Sequence, residues 1–306
     1  MKRIIFGLSL LLAACGEGKV DFSELPYEPK IVVNAFITPG QAASDIRIQR
    51  NFPVGQNINR DEQYLTGAVV TLTKVETNAT IALVNNLSFP DNYFYDSTGA
   101  IIEYGKAYRL NVTAVIDGDT LHASSTTLTP NPGIQVLPEL SQLTPLHYVE
   151  RDSLTNDVKY FHVAFQRSPG TQFYALSMKS LAADESNFIY PPDNPFFPDD
   201  FDSSDVVENM TSLATNAIWL QDLPVESGIS ETDLFWFFLT FYGPYRVTIY
   251  AGDRNFQDFV ETYDQVQDID GNFYEPVFHI DGDGIGVFAS FVADTTGFTI
   301  LRPGEN

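Results

Sequence analysis

In the run Lys106 to Ala114, apolar and polar side chains alternate without a break from Tyr108 onward: Tyr108, Leu110, Val112 and Ala114 fall on one face, Arg109, Asn111 and Thr113 on the other. A period of two belongs to a β-strand with one buried and one wet face, and a helix cannot present it. Asp117-Gly118-Asp119 then makes a tight turn into a second stretch, Leu121 to Leu128. The same grammar runs through the preceding residues. Ile31 to Ile37 is a β-branched run stopped by Pro39-Gly40, and Asp45 to Gln49 alternates strictly. Ala68 to Thr73, Thr80 to Val84 and Asn92 to Tyr95 follow. Short strands separated by regular turns predict a mainly β chain, opening with an antiparallel β-sandwich of immunoglobulin or prealbumin type over 28–130.

Thr129-Pro130-Asn131-Pro132-Gly133 reads as a linker, because two prolines and a glycine cannot continue a central strand. The remaining residues, 131–306, are expected to form a second β-rich domain with one or two helices. Its strands are Tyr160 to Phe165 and Phe173 to Met178, then the aromatic-rich Leu234 to Tyr242 and Tyr245 to Tyr250 on either side of a Gly243-Pro244 turn. An acidic, aromatic insertion spans 182–210. One helix is predicted, capped by Asp253, with Phe256, Phe259, Val260, Tyr263 and Val266 at helical spacing. Two strands close the chain, Gly286 to Ala293 and Gly297 to Leu301.

The amino terminus points to export. Lys2 and Arg3 precede an apolar run from Ile4 to Leu12, and Leu12-Ala13-Ala14-Cys15 matches the site at which lipoprotein signal peptides are cut. The run is far shorter than the ~20 residues a membrane span needs. Residues 1–14 are therefore expected to be a signal peptide and 15–27 a tether lipidated at Cys15. With Cys15 carrying lipid, the chain's one cysteine is used up, so disulfides and thiolate metal sites are excluded from the body. Gly16 follows instead of the aspartate that retains lipoproteins in the inner membrane, so the expected location is the outer membrane, with the cell surface as its favoured face. Seventeen basic residues face 40 acidic ones, a net charge of −23. Such a body repels nucleic acid and anionic headgroups, leaving the lipid anchor as its contact with the membrane.

Motifs for catalysis are missing: there is no nucleophile elbow, zinc-protease helix, Walker loop or dinucleotide fingerprint. His122, His147, His162 and His279 are scattered singly. No catalytic residue and no required cofactor is expected. Calcium is the one cofactor with a candidate site: Asp268, Asp270 and Asn272 place oxygen ligands at alternate positions, with Glu275 beyond. The pattern is not a full EF-hand, since its glycine comes early and the closing acid would fall on His279, and a polar turn rich in Asp, Gly and Asn accounts for it as well. The insertion carries a second candidate. Phe188, Tyr190, Phe196, Phe197 and Phe201 stand among prolines and acids; either they present contact area to a ligand or partner, or Phe196, Phe197 and Phe201 fold back as a lid on the second core.

Several of these pieces, in this order, resemble the Bacteroidota lipoprotein family catalogued as domain of unknown function 4249. They are the lipobox, Glu28-Pro29-Lys30-Ile31-Val32-Val33-Asn34, Gly67-Ala68-Val69-Val70-Thr71-Leu72, Gly105-Lys106-Ala107-Tyr108-Arg109-Leu110-Asn111-Val112 with the Thr129-Pro130 exit, the aromatic helix, and Gly284-Ile285-Gly286-Val287-Phe288-Ala289-Ser290. The resemblance implies a non-enzymatic outer-membrane or surface lipoprotein that assists a TonB-dependent receptor in nutrient capture or uptake, and it brings no catalytic residues with it. A structural or adhesive surface protein is the alternative expectation, and an envelope hydrolase a third.

Overall fold

The computed structural model describes residues 27–53, 55–87, 92–197, 215–220, 228–263 and 277–305. In chain order the strands are β1 (Ile31–Ile37), β2 (Arg47–Arg50), β3 (Val69–Lys74), β4 (Ala79–Asn85), β5 (Phe94–Tyr95), β6 (Ala107–Ile116), β7 (Asp119–Leu128), β8 (Gln135–Val136) and β9 (Leu146–His147). They continue with β10 (Phe161–Gln166), β11 (Phe173–Ser180), β12 (Thr215–Leu220), β13 (Ile229–Leu234) and β14 (Gly243–Gly252). Helix α1 (Arg254–Tyr263) follows, then β15 (Asp281–Gly282) and β16 (Gly284–Leu301). The mainly β expectation holds, with α1 the α-helix among the described residues.

Three sheets organise these strands. One runs β15-β7-β6-β3-β4-β5, and a small one β13-β10-β8. The third, β12-β11-β14-β16-β1-β2, also carries β9 on β16. β16 joins the two halves of this third sheet. Its first half pairs with β1 in parallel, Ile31 opposite Gly284 through Ile37 opposite Ser290. Its second half pairs antiparallel with β14, from Gly252 opposite Phe291 to Gly243 opposite Ile300. The parallel β1–β16 pairing departs from the purely antiparallel expectation, because two runs so distant in sequence can meet in either direction.

Three apolar clusters fill the layers. Ile31, Val33, Ala35 and Ile37 of β1 pack with Leu72, Leu110, Val112 and Phe288. Phe161, Phe165, Tyr174, Trp236, Val247, Phe298 and Ile300 belong to a second core. α1 lays Phe256 and Val260 over the outer face of the long sheet, against Phe173, Ala175, Val287 and Ala289. The helix is fixed at its start. Asp253 Oδ1 accepts from the Phe256 and Ser290 amides at 3.0 and 3.2 Å, as an N-cap should. Asn255 Nδ2 donates to the Thr126 and Phe288 carbonyls, both at 2.9 Å. Val266, predicted to continue the helix, lies outside the described residues.

Two expectations are corrected. The closing residues form one strand of 18 residues, not two. Asp294-Thr295-Thr296 reads as a break, yet β14 pairs straight through it, with Thr248 facing Thr295. Leu234 to Tyr242 is not a strand. β13 ends at Leu234, a 3-10 turn covers Trp236–Phe238, and Gly243 and Pro244 begin β14. The turn closes through the Phe238 amide on the Phe235 carbonyl (3.1 Å) and the Leu239 amide on the Trp236 carbonyl (2.9 Å). It sinks Trp236, whose indole Nε1 donates to the Lys159 carbonyl at 2.7 Å. A straight strand would not bring that donor to a buried acceptor.

Candidate functional site

Residues 182–197, the described part of the insertion, fold back over the second core. Phe188 is 3% exposed, ringed by Tyr190, Phe197 and Phe241 at 4.9, 5.8 and 5.6 Å between centroids. Asp184 caps the 3-10 turn Glu185–Asn187 by accepting the Asn187 amide. Buried Asn194 turns the chain outward, its amide donating to the Tyr190 carbonyl and its Oδ1 accepting from the Phe196 amide. Arg302 clamps this loop from the chain's end, bonding the Ser186 carbonyl and Asn187 Oδ1 while lying 5.4 Å over the Tyr242 ring. Tyr242 donates to Asp193, and burial together with that carboxylate pushes the phenol up to about 12. Phe188, Tyr190 and Phe197 thus form the lid, and Phe196 alone of the described candidates is exposed. Phe201 lies outside the described residues, as do Cys15 and the calcium candidates Asp268, Asp270, Asn272 and Glu275.

Phe196 is not isolated. Its ring meets Phe237 edge-on at 5.8 Å, and Phe237 is 59% exposed. On the other side of sunken Trp236, exposed Phe235 meets Tyr160 at 5.9 Å. Burying Trp236 turns its two sequence neighbours to solvent. β13 leads into this rim with alternating side chains: Ser230 and Leu234 point in, while Ile229, Glu231 and Asp233 point out. His162 of β10 bridges the two acids, Nδ1 to Asp233 at 2.8 Å and Nε2 to Glu231 at 3.4 Å. A cleft of about 630 Å³ opens beside them, lined by Gln142, Thr144, Lys159, Tyr160, His162 and Asp233. Lys159 is held by Glu150 at 2.7 Å, and that contact keeps the Glu150 carboxyl below its ordinary range. Sequence reasoning misses this constellation because the aromatic run holding Phe235 and Phe237 reads as a strand and Asp233 lies 71 residues from His162.

A second cleft, of about 430 Å³, lies where β7, the linker and the start of α1 meet, lined in part by Thr127, Asn131, Gln172, Asp253 and Asn255. Its acid is a structural tie: Asp253 also accepts from the Thr127 hydroxyl and the Leu128 amide, and burial lifts its carboxyl above the usual range against those donors. Asp258, 6% exposed, is likewise consumed, by Arg254 and by His279 Nε2 at 2.7 Å. Asp253 thus ties the start of α1 to β7 and β16, and Asp258 ties the helix to His279.

The family model described as domain of unknown function (DUF4249) matches residues 18–292. No curated protein matches the sequence. Among solved structures, the chain is similar to a bacterial ice-binding adhesin concerned in host cell surface retention, at 11% identity and a TM-score of 0.21, covering 90% of this chain and 65% of that one. It is similar to chicken CNTN1 FN1–FN3 domains at 8% identity and a TM-score of 0.24, over 90% and 68% of the two chains. Salmonella alpha-2-macroglobulin matches at 11% identity and a TM-score of 0.23, over 95% of this chain but 16% of its own. Likenesses at these scores say nothing of what this chain binds or does.

Proposed function

This chain belongs to the DUF4249 family, and from that premise we propose that it is a non-enzymatic lipoprotein of the outer-membrane surface, accessory to a TonB-dependent receptor in nutrient capture or uptake. The observation that supports this reading is that Tyr27 and the rim lie at opposite ends of β16. Tyr27, where the described chain begins, sits by Asn51, Arg50 and Asp117, near the Gly284 end. The rim is at the other end: Trp236 packs on Phe161 at 5.4 Å, and Phe161 on Phe298 at 4.0 Å. Gly284 and Phe298 are separated by roughly 45 Å of strand at about 3.3 Å per residue. A lipid at Cys15 would therefore hold one end at the membrane and hold out exposed rings at the other. Rings with little conformational freedom are efficient contact groups. The acids of the two clefts are engaged in ties to neighbouring groups, which favours binding over chemistry.

The test is co-purification. Detergent-solubilised native protein is expected to bring down a TonB-dependent receptor, and Phe196→Ser with Phe237→Ser to lose it without loss of folding, since both rings are exposed. A receptor missing from the wild-type eluate, with uptake unchanged on gene deletion, overturns the accessory role. The second reading is an adhesive or structural spacer, favoured by the end-to-end arrangement of two cores along β16. Loss of attachment instead of uptake in the same double variant selects it.

A further inference from the structure

We propose that the rim and the outward stripe of β13 form a docking site for a cationic, extended peptide segment of a partner protein. This rests on the reading of that end as the contact end and adds what it contacts. Along β13 the exposed side chains run Ile229, Glu231, Asp233 and then Phe235, two residues apart. That spacing, about 6.6 Å, is also the repeat of alternate side chains in an extended peptide. Both acids keep about half of their side-chain surface open, 55% and 50%, although His162 touches each of them.

The rings fit the same ligand. Beyond Asp233 the chain continues into Phe235, paired with Tyr160, and Phe237, paired with Phe196, and the negative faces of aromatic rings attract guanidinium and ammonium groups. Lys159, the cation lining the adjoining cleft, is already held by Glu150. Charge complementarity selects the occupant. A body of net charge −23 draws basic segments toward it, and it repels both a second copy of itself and an anionic lipid surface. A peptide alternating basic and apolar side chains would set its charges on Glu231 and Asp233 and its apolar groups against Ile229 and the rings.

The full mature chain, titrated against labelled peptides of about ten residues and followed by fluorescence anisotropy, decides the matter. The probes alternate Arg and Val, Glu and Val, or Ser and Val. The Arg peptide is expected to bind, the other two not, with affinity falling about tenfold between roughly 50 and 500 mM salt. Glu231→Gln with Asp233→Asn, and separately Phe235→Ser with Phe237→Ser, should each weaken it by about fivefold or more at unchanged melting temperature. The ring variant keeps the net charge, so general attraction does not explain its loss. Asp119→Asn with Asp281→Asn, removing equal charge from the exposed first residues of β7 and β15, should leave affinity unchanged. The inference is overturned if the Arg peptide does not bind, if the Ser peptide binds as well, or if the ring variant matches the wild type. It is overturned equally if the distant pair costs as much as the stripe pair. Should a receptor still co-purify while the peptides show no preference, the ligand class falls and the accessory reading stands. With a peptide preference and no receptor, the ligand class stands and the accessory role falls.

Discussion

At position 286 the backbone holds φ +107°, and a Cβ there would lie 2.1 Å from the Val33 carbonyl oxygen. Both the torsion and the approach of β1 demand glycine. Gly286→Ala is expected to cost at least about 2 kcal/mol, read as a lowered urea midpoint, because the obstructing atom is backbone of a paired strand and cannot step aside. Asp253 gives a prediction of another kind. Its carboxyl is lifted by burial in the folded state, so its contribution to stability is fully present below the unfolded value, about 3.9, and is lost as pH rises through the folded value. In Asp253→Asn the side-chain oxygen still accepts the two amides, and the titration is gone. The stability difference between wild type and variant, measured by denaturation from acid to neutral pH, should therefore shift against the wild type as pH increases. A difference that stays constant rules the group out as a source of pH dependence.

Among the elements, β16 carries the most. It supplies Phe288 to the first core and Val292, Phe298 and Ile300 to the second. A fragment of residues 28–130 would lack Phe288 and would leave the β16 side of β1 without its seven paired residues. Expressed alone it is expected to stay unfolded, and a fusion through a flexible linker to 281–293 to recover cooperative melting and dispersed amide resonances. A fragment that folds unaided would mean that β2 and the sheet around β6 suffice. The family-like segments make sense at this scale. Gly284 to Ser290 is the partner of Ile31 to Ile37, and Val69 to Leu72 pairs with Leu110 to Thr113. Thr129 closes on Lys106, its amide donating to the Lys106 carbonyl at 2.9 Å and its hydroxyl accepting from the Lys106 amide at 2.9 Å. These pieces are hydrogen-bonded to one another.

For the whole molecule the decisive question is attachment. Cys15→Ala is expected to move the protein from the membrane to the soluble fraction and to abolish palmitate labelling. Retention of either would remove the basis for a tethered, outward-facing tip. No helix among the described residues is long and apolar enough to cross a bilayer. The net charge of −23 belongs to the same scale, since it governs which partners approach at all.

The strands around β6 and β7 and the capped helix were legible because their causes are local: a period of two, a period near 3.6, a polar cap. The 3-10 turn at Trp236 was not, since its apolar run has no period to betray it, and what bends it is an acceptor 77 residues away. The loop at Phe188 left two readings open for the same reason, and the position of the Phe241 ring decided in favour of a lid, with Phe196 alone of the described candidate rings outside. By itself the sequence determined that this is a β-protein with a lone cysteine and a strong negative charge. Only the tertiary structure decided that the final strand joins both cores and that Glu231, Asp233, Phe235 and Phe237 share a surface with His162, Tyr160 and Phe196. Those juxtapositions depend on pairings between distant segments, and neither local propensity nor spacing along the chain encodes which strand a strand will meet.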